Sequence, residues 1–454
     1  MSKSVHLQGI PYCPDSCELF ERIRDLPQAA LLDSSFPYAQ TGRFDILTAQ
    51  PWRTDLPILP TSANEQQCHA YFSELSLFHK ECYPDIAPVS PDIPFCGGLL
   101  GYLGYGLGKG LHNIQGTLEP RAIAPVQLCA YDWCVIQDHL QRRATLVTQA
   151  RVNPAQRQDL QARLRQPVVR QSAGFSLTEC FLSNISRTEY QLAFERIQDY
   201  IQSGDCYQVN LSQCFSAGFS GDPWQAYRAL RAVAAAPFAG YLSLPEGGAL
   251  MCLSPERFLS LDGQQVETSP IKGTRPRQTD PELDERSKSE LCSSQKERAE
   301  NLMIVDLLRN DLGRSCVTGS IHVERLFEVQ TFPTVHHLVS TISGELSPDC
   351  SVWDLLRDSF PGGSITGAPK RRAMQIIAEL ETHERQAYCG SLLYVSADGR
   401  MDSNIAIRSL LCDDGLVRCW GGGGIVADSE WQQEYQESYD KVGKFLDALE
   451  NFRG

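Results

Sequence analysis

The segment Gly240–Leu261, GYLSLPEGGALMCLSPERFLSL, breaks into three short apolar runs, Gly240–Leu244, Ala249–Leu253 and Arg257–Leu261. Pro-Glu-Gly-Gly separates the first two and Ser-Pro-Glu the last two, the punctuation expected between strands. A similar run comes just before, at Val209–Phe215. Others follow at Val335–Gly344, after Pro333, and at Ala387–Val395, Ser403–Leu411 and Val417–Val426, which read as a last sheet. Helices interrupt these runs without strict alternation. One opens after Ser186, with Thr188 and Gln191 as its capping box, and closes at Gly204. Ser293–Asn310 reads as a long helix, and Ser429–Phe452 as a C-terminal helix with a Ser429/Gln432 box. Strands and helices in unequal runs point to an α+β fold.

Upstream the signals are weaker. Residues 1–150 form an N-terminal region of short apolar runs punctuated by Pro and Gly. It contains a glycine-rich stretch at Phe95–Gly110 (FCGGLLGYLGYGLGKG) and an expected buried strand at Val126–Ile136 (VQLCAYDWCVI). The Arg- and Gln-rich residues 151–172 read as a linker or edge helix before a second region, 184–454.

With 454 residues the chain can build one large or two medium domains. A net charge of -14 argues against nucleic acid or an anionic membrane as partner. An anionic small molecule would then need local cations or a metal. The start, MSKSVHLQGIPYCPDS, lacks a signal-peptide pattern, and no apolar run reaches transmembrane length. The 17 cysteines form no C-x-x-C pair and read as reduced core residues of a cytoplasmic protein. Of the adjacent His336 and His337, whose side chains project apart, one is expected to be structural.

Two helices carry paired carboxylates. Glu297 and Glu300 share a helical face with Ile304, Leu307 and Leu308. Glu434, Glu437 and Lys441 form a second stripe beside Val442, Phe445, Leu446 and Leu449. Two such pairs facing one cavity would suit Mg²⁺; solvated i, i+3 acids paired with Lys296, Arg298 or Lys441 are the alternative. Pro361–Lys370 (PGGSITGAPK) fails as a P-loop because Lys370 follows Pro369. It reads as an anion-binding or close-packing loop, or a plain turn, before a helix at Pro369–Ala378. Gly421–Gly424 allows close backbone approach to a ligand. Lys272, in TSPIKGTRPR, reads by default as a surface-exposed lysine at a strand end; to act as nucleophile it would need a lowered pKa, which Arg275 and Arg277 could supply by like-charge repulsion. Glu256, in SPERF, is either a salt-bridged structural acid or a general acid.

From about Ser186 to Lys444 the chain resembles the chorismate-utilising enzymes, which include the anthranilate, isochorismate, salicylate and aminodeoxychorismate synthases. The resemblance rests on SPERF, PIKGTRPR, KERAENLMIVDLLRND, FPTVHHLVST, PGGSITGAPK, Ile405–Leu410, GGGGIVADS and EYQESYDKV in one order. It is thinner at ALLDSS, GRFDIL and YDW in the N-terminal region. It implies two antiparallel sheets packed as a sandwich with helices outside, the two regions intertwined. It also implies Mg²⁺ held by Glu300 and Glu437, with Glu297 and Glu434 behind through water. Arg408, Tyr394, Lys441 and the backbone of Gly422, Gly423 and Gly424 would bind carboxylates, while Thr274 and His337 would line the ring. Glu256 would protonate the departing C4 hydroxyl.

Isochorismate and salicylate synthases carry a water-activating lysine where Gln208 stands here. Anthranilate synthases read PIAGT for PIKGT. Lys272 therefore implies the aminodeoxychorismate branch, in which it attacks C2 of chorismate before ammonia enters at C4, on the route to 4-aminobenzoate and folate. The chain has no glutaminase motif, so ammonia would come from a partner, a glutamine amidotransferase subunit, or from solution. The family usually has alanine at Gly423, and glycine there is expected to loosen the carboxylate loop. Leu32, Asp33 and Ser34 resemble a tryptophan pocket, although Asp33 replaces glutamate. The rivals are an anthranilate synthase component and a non-catalytic module that binds an aromatic acid.

Overall fold

In the computed structural model, residues 5–38, 42–84, 86–115, 123–167, 173–332 and 335–453 are described. Met1 to Ser4 and Pro333 therefore lie outside the described residues. Among the described residues the strands form two antiparallel sheets, one of 13 strands and one of nine. The larger holds Phe44–Thr48, Ala30–Asp33, Phe238–Ser243, Ala249–Ser254, Ser409–Asp413, Leu416–Ile425 and Gln208–Ser220 side by side. The smaller runs through Ile271–Pro276, Val335–Glu345, Gln265–Thr268, Arg257–Asp262, Met401–Asn404, Ser391–Ser396, Gly98–Leu103 and Val126–Tyr131. Strands from residues 1–150 and from 184–454 thus pair directly in both sheets.

Apolar residues of both sheets fill one core. Leu242, Leu250 and Cys252 of the larger sheet share it with Leu99, Leu259 and Leu392 of the smaller. The gap is tight enough that a methyl on Gly240 would lie 3.0 Å from Leu392 Cδ2. Helices pack outside. Pro223–Val233 and Gly443–Glu450 cover the outer face of the larger sheet through Trp224, Leu230, Phe445 and Leu449. Arg187–Gln202, Lys370–Leu380 and Trp431–Asp440 cover its Val209/Leu211 end. This is the α+β sandwich expected.

Local departures have physical causes. Val126–Ile136 is two strands, Val126–Tyr131 and Trp133–Asp138, which belong to different sheets. The expected last sheet divides likewise. Ser391–Ser396 and Met401–Asn404 lie in the smaller sheet, Ser409–Asp413 and Leu416–Ile425 in the larger, and the chain crosses between them at 405–408. A sandwich makes such corners wherever a strand changes sheets. The first capping box is Ser186 with Glu189, whose Oε2 accepts from Ser186 N at 2.7 Å, and Thr188 lies inside the helix. The C-terminal helix is broken into Trp431–Asp440 and Gly443–Glu450, because its halves cover different surfaces. Ser429 does not cap it: its hydroxyl donates to Glu434 Oε1 at 2.7 Å. Gly421–Gly424 lies within the strand Leu416–Ile425, not in a loop. Residues 154–165 of the Arg/Gln-rich stretch are helical. The 17 cysteines are unpaired; most are buried, but Cys180 and Cys292 are exposed. No helix of the described residues is long and apolar enough to cross a membrane.

Candidate active site

At one end of the sandwich the smaller sheet brings Glu256 and Lys272 together. Arg257–Asp262 begins just after Glu256, whose backbone is fixed by Ile405 N donating to its carbonyl at 3.0 Å. Glu256 is 6% exposed. Burial raises the pKa of its carboxyl, opposed by a hydrogen bond from Ser364 and by the Lys272 charge. Lys272 lies on Ile271–Pro276, where the register with Val335–Glu345 slips between Lys272 and Thr274. The slip is a bulge at Gly273, with φ +75°, and a Cβ there would lie 2.8 Å from Glu297 Oε2. Such bulges re-aim a neighbouring side chain. Lys272 Nζ donates to the Ser364 carbonyl at 3.3 Å.

Burial lowers the pKa of Lys272, with Glu300 and Glu256 opposing. The nearby like charge that favours the neutral amine is Lys441. Arg275 is engaged with Glu297 at 3.3 Å and Arg277 with Asp284 at 2.9 Å, so the arginines beside Lys272 in sequence do not supply the expected repulsion.

The four glutamates meet electrostatically around the lysine. Glu300 is pushed up to about 7 by burial, with repulsion from Glu297 and Glu434 added and Lys272 opposing. Burial also raises Glu434, whose Oε2 is buried without a hydrogen-bond partner. Glu437 is half-exposed, and although partial desolvation works against its charge, Lys441, 2.6 Å away, with Lys272 and Lys296, holds its pKa below the ordinary value. Among the described residues no group of three or more His, Cys, Asp or Glu side chains is poised to hold a metal on its own. A buried carboxylate oxygen without a partner and a glutamate that burial keeps protonated late nevertheless leave carboxyl oxygens for a cation to use. The set fits a hard dication that completes its shell with water and substrate oxygens.

The cationic side of the site faces the glycine strand. Lys441 Nζ donates to the Gly422 carbonyl at 2.8 Å. A methyl on Gly423 would lie 2.9 Å from Glu434 Oε2 and 3.2 Å from Glu437 Oε1, and one on Gly424 would lie 2.6 Å from Gln208 Nε2. Glycine at 423 thus leaves room for the acids within a paired strand. The Arg408 side chain makes no hydrogen bond or ion pair with any described residue; burial lowers its pKa and Glu256 raises it. Its backbone has φ +52°, at the crossing between the sheets. Thr274 Oγ1 lies 2.9 Å from His337 Nδ1. Burial, with Arg408 nearby, holds His337 at about 4, so it is neutral near pH 7. His336, fully buried, lies 2.9 Å from Asp284 and is the structural member of the pair.

Tyr394 is buried in the smaller sheet, on Ser391–Ser396. Its ring packs edge-on to Phe95, and its charged neighbours are Asp402, Arg257, Arg400 and Asp398. In the tryptophan-like segment, Asp33 is bound by Arg231 at 2.6 Å and by the Tyr227 hydroxyl at 2.8 Å. Ser34 donates to Asp45 through its amide and its hydroxyl, and Leu32 packs against the main core. The polar groups of Asp33 and Ser34 are therefore engaged within the protein. Ser364, which motif reading passed over as part of a turn, touches both Glu256 and Lys272. Its one sequence signal is the single hydroxyl-bearing residue between the glycines and Ile365.

A chorismate binding enzyme family model matches residues 48–447. The chain belongs to this family. Aminodeoxychorismate synthase component 1 of Salmonella typhimurium is 44% identical over 97% of this chain and 98% of its own length. The protein of that name from Escherichia coli K12 is 45% identical over 95% of each. The crystal structure of anthranilate synthase component I from Streptococcus pneumoniae TIGR4 superposes with a TM-score of 0.77 at 30% identity, covering 90% of this chain and 93% of that one. In this chorismate-binding enzyme, Lys272, Glu256, Arg408, His337 and the four glutamates are accordingly candidates for contact with substrate.

Proposed function

We propose that this chain is the synthase component of an aminodeoxychorismate synthase. It would convert chorismate and ammonia to 4-amino-4-deoxychorismate, for 4-aminobenzoate and folate, in the cytoplasm. The observation that carries the reading is the Lys272 amine, its pKa lowered by burial, beside a Glu256 acid whose pKa burial raises. The full-length relatives bearing that name support it.

Arg408, Lys441 and the Gly422–Gly424 backbone hold the substrate carboxylates, with Thr274 and neutral His337 along the ring. Glu300 and Glu437 would hold Mg²⁺, with Glu297 and Glu434 behind through water, and the ion would supply positive charge against a substrate carboxylate and the ring. Lys272 attacks C2, the ring double bonds shift, and the C4–O bond breaks. Glu256 gives its proton to the departing hydroxyl, which leaves as water. Ammonia from a glutamine amidotransferase subunit then attacks C4, the double bonds shift back and the C2–N bond breaks. The proton lost by the new amine returns to Glu256, and the site is restored. The sum is chorismate plus ammonia giving aminodeoxychorismate plus water.

The isolated chain, given chorismate, Mg²⁺ and ammonium at alkaline pH, should form aminodeoxychorismate without releasing pyruvate, and glutamine should not replace ammonium. Anthranilate as main product would assign the chain to the anthranilate branch; binding without turnover would make it a sensor.

A further inference from the structure

The turn Gly363–Ile365 lies between the acid and the lysine. Ser364, 8% exposed, donates from its hydroxyl to Glu256 Oε1 at 2.7 Å, and its carbonyl accepts from Lys272 Nζ at 3.3 Å. The turn is held from several sides. Thr366 Oγ1 donates to the Gly362 carbonyl at 3.1 Å, and Asn210 N donates to the Thr366 carbonyl at 2.9 Å. Fully buried Arg385 donates to the Ile365 carbonyl at 3.0 Å and is itself paired with Glu381 at 2.7 Å. A methyl on Gly363 would lie 2.7 Å from Leu307, so that side is closed by packing.

We propose that Ser364 is a positioning residue for the reaction: its hydroxyl orients the Glu256 carboxyl and its carbonyl orients the Lys272 amine. The inference rests on the function proposed above. The carbonyl oxygen is the better acceptor of a neutral carboxyl group, so a hydroxyl donated to Oε1 favours the acid proton on Oε2. A neutral amine that donates one N–H to the Ser364 carbonyl carries its lone pair on another face of the nitrogen, free to meet C2. One residue fixes both directions, and the braced turn keeps them fixed. The charged groups facing Glu256 are Lys272, Lys441 and Arg408. Lys441 and Arg408 favour the carboxylate, as do Lys272 while it is protonated and the Ser364 hydroxyl; burial opposes them.

Ser364→Ala removes the hydroxyl and leaves the carbonyl; Ser364→Thr keeps both. For Ser364→Ala, kcat for amination should fall about 10–100-fold while the chorismate KM and the melting temperature stay near those of the parent. Losing a donor to the ionised carboxyl raises the Glu256 pKa, so the acid stays protonated to higher pH and the alkaline limb of kcat/KM should move up. A ¹³C-carboxyl titration of Glu256 in the resting protein, assigned by its loss in Glu256→Gln, should move the same way. Ser364→Thr should restore rate and profile. Parental kcat and an unmoved titration in Ser364→Ala would overturn the proposal, as would equal loss in both variants with no pH shift. The titration needs no product, so it judges Ser364 even if the parent protein makes no aminodeoxychorismate, a result that would overturn the function instead.

Discussion

An unburied lysine, with a pKa near 10.4, is only a small fraction neutral at pH 7, and each unit of lowering corresponds to about 1.4 kcal/mol. Burial of Lys272 lowers that cost. If Lys272 attacks as proposed, an adduct at C2 formed with chorismate and Mg²⁺ but no nitrogen source has nothing to displace it. Quenched protein should gain the mass of chorismate less one water, mapped to Lys272 and absent in Lys272→Ala; unmodified protein under saturating chorismate would favour direct attack by ammonia. Glu300 offers a second test. Its carboxyl ionises at about 7, yet a metal needs the carboxylate. Binding of Mg²⁺ should therefore release roughly half a proton at pH 7, approaching one per site at lower pH and vanishing well above it. Calorimetry in buffers of different ionisation enthalpy measures this. In Glu300→Gln the release and the turnover should both be lost with the fold intact. Lys272, Glu256 and Arg408 were legible from sequence because each sits in a distinctive motif. Ser364 was not, because what marks it is a contact with Glu256, 108 residues away.

Between residue and fold stands the Lys370–Leu380 helix, which follows the braced turn. Lys370, 8% exposed, donates to Asp311 Oδ2 at 2.7 Å and to the Ser359 carbonyl at 2.9 Å. Asp311, near the end of the Gln295–Leu312 helix, is 2% exposed, so the pair ties the helix bearing Glu297 and Glu300 to the one after Ser364. Removing one partner strands the other charge. Lys370→Ala should destabilise the protein by about 3–5 kcal/mol in denaturant unfolding, and replacing both partners with apolar residues by much less. A near-neutral single mutant would show that water reaches Asp311. Strand positions were readable at this scale because turn residues bound them, as at Gly240–Leu261. Sheet membership was not, since strands buried on both faces carry no alternation to say which layer they join. For that reason Val126–Ile136 looked continuous and Ser403–Leu411 hid the crossing that places Arg408.

For the whole molecule, the interleaving of early and late strands makes the two halves of the sequence interdependent. Gly98–Leu103 is flanked by Ser391–Ser396 and Val126–Tyr131, and Ala30–Asp33 by Phe238–Ser243 and Phe44–Thr48. A fragment ending at residue 150 should lack cooperative unfolding and dispersed amide resonances when expressed alone. Co-expression with the remainder should restore both; a well-folded lone fragment would contradict this dependence. The resemblance in motifs conveyed the sandwich, but the pairing of distant strands had no local signature. The same pairing sets a clock on biosynthesis. Cys96 N donates to Ser396 Oγ across 300 residues, so its partner leaves the ribosome long after it does. At roughly 5–20 residues per second that delay is about 15–60 s. Through that interval the nascent chain carries apolar strand edges with no native neighbour, the state in which chaperones bind and aggregates begin.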